Sequence, residues 1–149
     1  MGLFDKLSFG LKKTKGGIFD SITKALTNSQ IDDDMYEDLL DQLILENFGV
    51  KLVFVTCGAD GCFFKNAVAE GHVPSLKNIS VIDTTGAGDI FGGSAVSQLL
   101  KYEKAPDALN EAELRQVVGF ACTAAGLSTT KSGGISSVPE LETVMEKMA

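Results

Sequence analysis

The residues best placed to do chemistry form one run, Ile82-Asp83-Thr84-Thr85-Gly86-Ala87-Gly88-Asp89. Apolar residues lead into it and a helix-forming stretch follows, so it reads as a turn between a strand and a helix. Small residues there let an anion approach the backbone, and the first free N–H groups of the helix meet it with the positive end of the dipole. Phosphoryl transfer depends on positioning and charge stabilisation, so such an anion hole is its main device. Asp89 falls in the first helical turn beside that hole, where a carboxylate can take a proton from an attacking hydroxyl. A first-turn Asp also serves as a plain dipole partner, and Gly-Ala-Gly turns after strands are common. Taken one at a time, these residues leave both readings open.

The elements that must position this run follow from hydrophobic periodicity. Leu52–Val55, Cys62–Lys65, Ala67–Val73 and Ile79–Ile82 are strand candidates, the first two separated by the turn Gly58-Ala59-Asp60-Gly61. A helix is expected from about Ala87 to Tyr102, burying Ile90, Phe91, Ala95, Val96, Leu99 and Leu100. Asn110 with Glu113 makes a capping box for a second helix carrying Leu114, Val117, Val118 and Ala121. Pro139 opens a last helix, with Leu141, Val144 and Met145 facing inward. Strands alternating with helices predict an α/β layer with parallel neighbours.

The first 49 residues have a different character. Leu3, Phe4, Leu7 and Leu11 recur at helical spacing among Lys6, Lys12, Lys13 and Lys15, and Ile18, Phe19, Ile22 and Leu26 resume the pattern after Gly16-Gly17. Residues 31–50 then carry seven carboxylates and no base, with Asp34 and Glu37 placed as a capping box. The expectation is a small α-helical hairpin over 1–49, joined to an α/β unit over 50–149. A basic amphipathic helix over 1–26 suits peripheral contact with an anionic membrane face, although packing on the rest of the protein accounts for the same stripe. The formal charge of −7 argues against non-specific nucleic-acid binding. Cys57, Cys62 and Cys122 lack metal-site spacing and read as free thiols, and lone His72 as structural. With no apolar run near the roughly 18 residues of a membrane span, the expected location is cytoplasmic, or peripheral on the inner membrane face.

Two resemblances follow from the quoted residues. The string at 83–89 matches the D-T-x-G-A-G-D signature of the ribokinase-like (PfkB) carbohydrate kinases at every fixed position. Thr56-Cys57-Gly58-Ala59-Asp60-Gly61 is similar to that family's T-x-G-x-x-G nucleotide turn, and Gly133-Gly134-Ile135-Ser136-Ser137-Val138-Pro139 to its G-[AG]-x-x-S-x-P segment. The resemblance implies a partial ribokinase-like three-layer fold, a sheet with flanking helices. It also implies an ATP-dependent carbohydrate kinase of the fructokinase or ribokinase kind, using Mg2+ and K+. Asp89 would be the catalytic base and Gly86, Ala87 and Gly88 the anion hole. Thr56, Gly58, Gly61, Ala121, Cys122, Ala125 and Gly126 would border the nucleotide. Asp83, Thr85, Gly133 and Ser137 would help hold the monovalent cation. Cys122 is a departure, standing where many members have Asn. Residues 1–50 resemble the start of the bacterial signal recognition particle receptor, but the G-x-x-x-x-G-K-[ST] loop its GTPase domain needs is absent.

In the kinase family the sugar pocket and the acidic residues of the magnesium site belong to an N-terminal half not found before residue 50. The chain by itself is therefore expected to show little sugar kinase activity unless a complementary half supplies them. The join at Gly49-Val50 would suit a fusion of unrelated segments. The competing expectation is a non-catalytic membrane-surface or partner-binding module led by the N-terminal helices.

Overall fold

The structure, a computed structural model, describes residues 50–148. The helical hairpin and the membrane-contacting helix expected within residues 1–49 lie outside the described residues.

Three short strands come first: β1 (Leu52–Thr56), β2 (Cys62–Asn66) and β3 (Glu70–Val73). They form an antiparallel meander in the order β1-β2-β3, with Leu52 opposite Asn66, Phe54 opposite Phe64, and Cys62 opposite Val73. The parallel neighbours expected from the alternation of strands and helices are not found among the described residues. The connections explain why. A parallel pair needs a crossover of a dozen or more residues, whereas β1 and β2 are joined by the turn at 57–61 and β2 and β3 by residues 67–69. Ala67 and Val68 thus fall in a turn rather than in the third strand.

The predicted fourth strand does not form. Residues 79–82 belong to no strand, and Val81 and Ile82 are exposed. The backbone N–H groups of Ile82 and Asp83 both donate to the Thr129 carbonyl, at 2.7 and 3.1 Å, so the segment is tied to a helix end instead of a sheet.

Three helices complete the unit: α1 (Ala87–Leu99), α2 (Glu111–Ser128) and α3 (Leu141–Met148). Period-2 burial on β2 turns Cys62, Phe64 and Asn66 inward, and α2 lays Leu114, Val117, Val118, Ala121 and Cys122 into the same core. Phe91 and Ala95 of α1 join them, with Phe91 edge-on to Phe54 of β1 at 5.9 Å between ring centroids. The α2 capping box is present, Asn110 Oδ1 accepting from Glu113 N and Glu113 Oε2 accepting from Asn110 N. The helix α1 ends at Leu99, short of Tyr102, and its Val96 and Leu100 are exposed rather than buried. In α3 only Val144 is buried; Leu141 and Met145 are exposed. None of the described elements covers these apolar groups.

One buried polar residue holds the sheet to the rest. Asn66, 3% exposed, donates from Nδ2 to the carbonyls of Pro106 and Leu109, both at 2.8 Å. Its Oδ1 accepts from Val68 N and Ala69 N at 3.0 and 2.8 Å. All four bonding positions are filled, so the β2–β3 turn and the approach to α2 are fixed by one amide. Leaving buried donors or acceptors unpaired costs about 1–3 kcal/mol each time. Asn66→Ala should therefore destabilise the chain by about 2–4 kcal/mol in chemical denaturation. Asn66→Asp should cost more at neutral pH, where its charge meets two carbonyls, and recover as acidification supplies a proton to donate. Equal losses for both variants at every pH would contradict this account.

Candidate functional site

The chemistry-bearing run sits where the extended segment meets α1. Gly86 is the N-cap residue, with φ +79, and makes no side-chain cap. A side chain at 86 would be strained by that φ and would bring a Cβ to 3.2 Å from Gly134 Cα. The contrast with α2 is informative. The N-terminus of α2 is closed by Asn110 and Glu113, whereas that of α1 has no side chain across it. Ala87 N bonds the Thr84 carbonyl at 3.2 Å. The helix end beyond it faces open space, where even a Cβ added at Gly88 would meet nothing within 4 Å.

Two cavities flank this helix end. The larger, about 480 Å³, is bounded by Thr56, Gly58 and Gly61 of the β1–β2 turn, by residues 75–79 and Val81, by Ala87, Gly88 and Phe91 of α1, and by Cys122, Ala125 and Gly126 of α2. The smaller, about 410 Å³, is bounded by Gly86, Asp89, Ile90, Gly93, Ser94, Gly134, Ile135 and Val138. Successive residues of the first turn thus line opposite sides: Ala87 and Gly88 face one cavity, Gly86 and Asp89 the other. At Gly126 a Cβ would come within 2.9 Å of Leu76 Cβ, so the missing side chain there lets the 75–79 wall close on α2.

Of the residues expected beside a nucleotide, Thr56, Gly58, Gly61, Cys122, Ala125 and Gly126 meet around the larger cavity. Ala121 does not; it is fully buried in the core, one step round the helix from Cys122. Burial pushes the Cys122 thiol up to about 11, with the nearby Cys57 adding to it, so it lines the cavity as a neutral group. The 75–79 wall, including Lys77, was not anticipated. Its only sequence signal is its place immediately before the glycine-rich run.

Of the expected cation residues, Asp83, Thr85 and Gly133 meet through hydrogen bonds, while Ser137 bonds the neighbouring Gly134. The Asp83 carboxylate accepts from Gly133 N at 3.0 Å, from Thr85 N at 2.9 Å and from Ser132 Oγ at 3.5 Å. Ser137, buried, donates from Oγ to the Gly134 carbonyl at 2.8 Å. Among the described residues no group of three His, Cys, Asp or Glu side chains comes together, so none offers a divalent-metal cluster. His72 places its Nε2 2.8 Å from the Asp60 carbonyl and its ring at a tilt to that of Phe63, 4.5 Å between centroids.

Hydrogen bonds from Gly133, then Thr85, hold the Asp83 carboxyl down to about 2. A folded-state value depressed in this way contributes stability in full above the unfolded value near 3.8, and loses it as pH falls through about 2. Asp83→Asn should lower the melting temperature at neutral pH and flatten the slope of stability against pH between about 4 and 2. An unchanged slope in acid titrations of the variant would show that the knot contributes nothing.

Comparison with known proteins places the same features in a wider setting. The family model for pfkB family carbohydrate kinases matches residues 20–141. A fructokinase from Zea mays is 36% identical over 101 residues, covering 68% of this chain and 29% of the relative. The structure of ribokinase from Giardia lamblia superposes with a TM-score of 0.69 at 28% identity, covering 85% of this chain and 40% of that one. Fructokinase from Vibrio cholerae, solved with fructose, ADP and calcium ion, superposes with a TM-score of 0.65 at 26% identity, over 85% of this chain and 38% of that one. A double mutant of the same enzyme was solved with fructose, ADP and potassium ion. The chain thus spans less than a third of the length of the maize fructokinase.

Proposed function

The chain belongs to the pfkB family of carbohydrate kinases, and from that premise we propose that residues 50–149 form the nucleotide-binding and phosphoryl-transfer portion of an ATP-dependent sugar kinase. The observation that supports this most is the division of the first turn of α1 between two cavities. The larger, mostly apolar in its lining, suits a purine ring with its phosphates directed at Ala87 and Gly88. The smaller suits an acceptor hydroxyl beside Asp89. The transferring group would cross the helix N-terminus, where amides meet developing negative charge at no cost in reorganisation.

In this reading Asp89 accepts the proton of the acceptor hydroxyl as its oxygen bonds to phosphorus. The amides after Gly86 hold the equatorial oxygens. Asp83, Thr85, Gly133 and Ser137 would hold a monovalent cation, which would supply fixed positive charge behind the turn. The sugar is proposed to be fructose or a related ketose or pentose, on likeness to the fructokinases and ribokinases. Residues that close the sugar pocket are not identified among those described.

A second reading concerns residues 1–26. Their alternation of Leu3, Phe4, Leu7 and Leu11 with lysines supports peripheral contact with an anionic membrane, in line with the resemblance to the signal recognition particle receptor.

Thermal unfolding of the chain should shift upward with Mg-ATP and potassium, since a ligand that binds the folded state stabilises it by mass action. Gly88→Asp, which puts a carboxylate at the helix end, should abolish the shift. Asp89→Asn should leave the shift in place while removing any transfer to sugar. A midpoint indifferent to ATP would overturn the nucleotide assignment. For the second reading, cosedimentation with phosphatidylglycerol vesicles should be lost on Phe4→Asp, and retention by that variant would reject it.

A further inference from the structure

The lining of the larger cavity contains one charged side chain, that of Lys77, and no carboxylate. Its Nζ donates to the carbonyl of Ala59 at 3.0 Å, and Ala59 lies in the turn between Gly58 and Gly61 that borders the same cavity. Four other bases are engaged by carboxylates, Lys51 with Asp107, Lys65 with Glu70, Lys104 with Glu113 and Arg115 with Glu111, while Lys101 donates to Gln98 Oε1 away from this cavity. Among the described residues no such ion pair is found for Lys77, whose ammonium rests on a neutral oxygen. In a chain of net charge −7, a polyanion entering this space meets the helix end and one ammonium.

We infer that Lys77 is a phosphate-binding residue for the nucleotide, its ammonium exchanging the Ala59 carbonyl for an oxygen of the polyphosphate. The inference rests on the proposal that the larger cavity takes ATP. Exchange is favourable because the Ala59 carbonyl offers the ammonium only a dipole, whereas a phosphate oxygen offers it a full opposite charge as well as a hydrogen bond. It is feasible because the lysine stem is flexible and its head a compact point charge. The second fastening of the same turn, from His72 to the Asp60 carbonyl, keeps the turn in place when Lys77 lets go. Since the group recognised is phosphate, the lysine sets affinity for phosphorylated nucleotides over the bare nucleoside.

The test is titration calorimetry on the full chain with ATP and with adenosine as probes, on wild type, Lys77→Met, Lys77→Gln and Lys77→Arg. Lys77→Met and Lys77→Gln should weaken ATP roughly tenfold, leave adenosine unchanged, and flatten the salt dependence of ATP binding. Lys77→Arg should retain most of the affinity. Equal weakening of ATP and adenosine would mean that Lys77 only positions the turn, and unchanged ATP affinity would mean that it does neither; each overturns the inference. Should wild type bind neither probe, the assignment of the cavity to a nucleotide falls, and this inference with it. Gln at 77 can still donate to Ala59, so a folded Gln variant with weakened ATP and unchanged adenosine supports the inference even where the Met variant fails to fold, and a folded Gln variant with wild-type ATP affinity overturns it.

Discussion

The carboxylate of Asp83 is the constraint on which the site depends. It gathers N–H groups from both sides of the cleft, Thr85 on the approach to α1 and Gly133 in the loop after α2. Its own amide and that of Ile82 are meanwhile committed to the Thr129 carbonyl. Two loops distant in sequence are thereby fixed to each other and to the end of α2. The close approach of Gly86 to Gly134 follows from that knot, and with it the left-handed turn that starts α1. Without it the helix N-terminus would have no defined place between the two cavities.

The rest of the unit supplies a rigid support for that arrangement. Helix α2 is buried along much of its length, against β2 and β3 on one side and α1 and α3 on others. It carries Cys122, Ala125 and Gly126 to the cavity wall from the same turns that pack Val118 and Ala121 inward. Packing and binding therefore share one element, and small residues on its cavity face leave the volume open. The two helix starts divide the work. Capping α2 with Asn110 and Glu113 satisfies its amides internally, whereas α1 begins on glycine with no side chain across its end. Only the second arrangement leaves backbone charge for a ligand.

The surface shows where this unit ends as a piece of chemistry. Ile82, Val96, Leu100 and Ile135 are exposed although their types belong in a core. Ile135 lines the smaller cavity, while Val96 and Leu100 lie toward the far end of α1, and the solved relatives are chains more than twice as long. The described residues contain the stretch of the family motif to which anion binding and proton acceptance are proposed here. The acceptor's enclosure and any carboxylate cluster for a divalent ion are not among them.

Local sequence signals carried much of this. The D-T-x-G-A-G-D string pointed to the family and to the position of the helix start, because small residues ahead of an apolar-periodic stretch leave a glycine cap with a carboxylate in the first turn. The capping box at Asn110 and the buried face of α2 were legible for the same reason, each being set within one or two turns of chain. Tertiary structure decided what depended on distant partners. It ran the strands antiparallel because their links are short, and it put Ile79 and Val81 on a cavity wall in a segment tied at Ile82 and Asp83 to the Thr129 carbonyl rather than to a sheet. It turned Ala121 inward while leaving Cys122 on the cavity, a difference of one residue on a helix that periodicity cannot assign without knowing what packs on each side. The hydrogen-bond partners of Asn66, Asp83 and Lys77 were beyond reach for a common reason. A polar side chain's partner is a matter of where another part of the backbone arrives, and that is fixed only when the chain has folded.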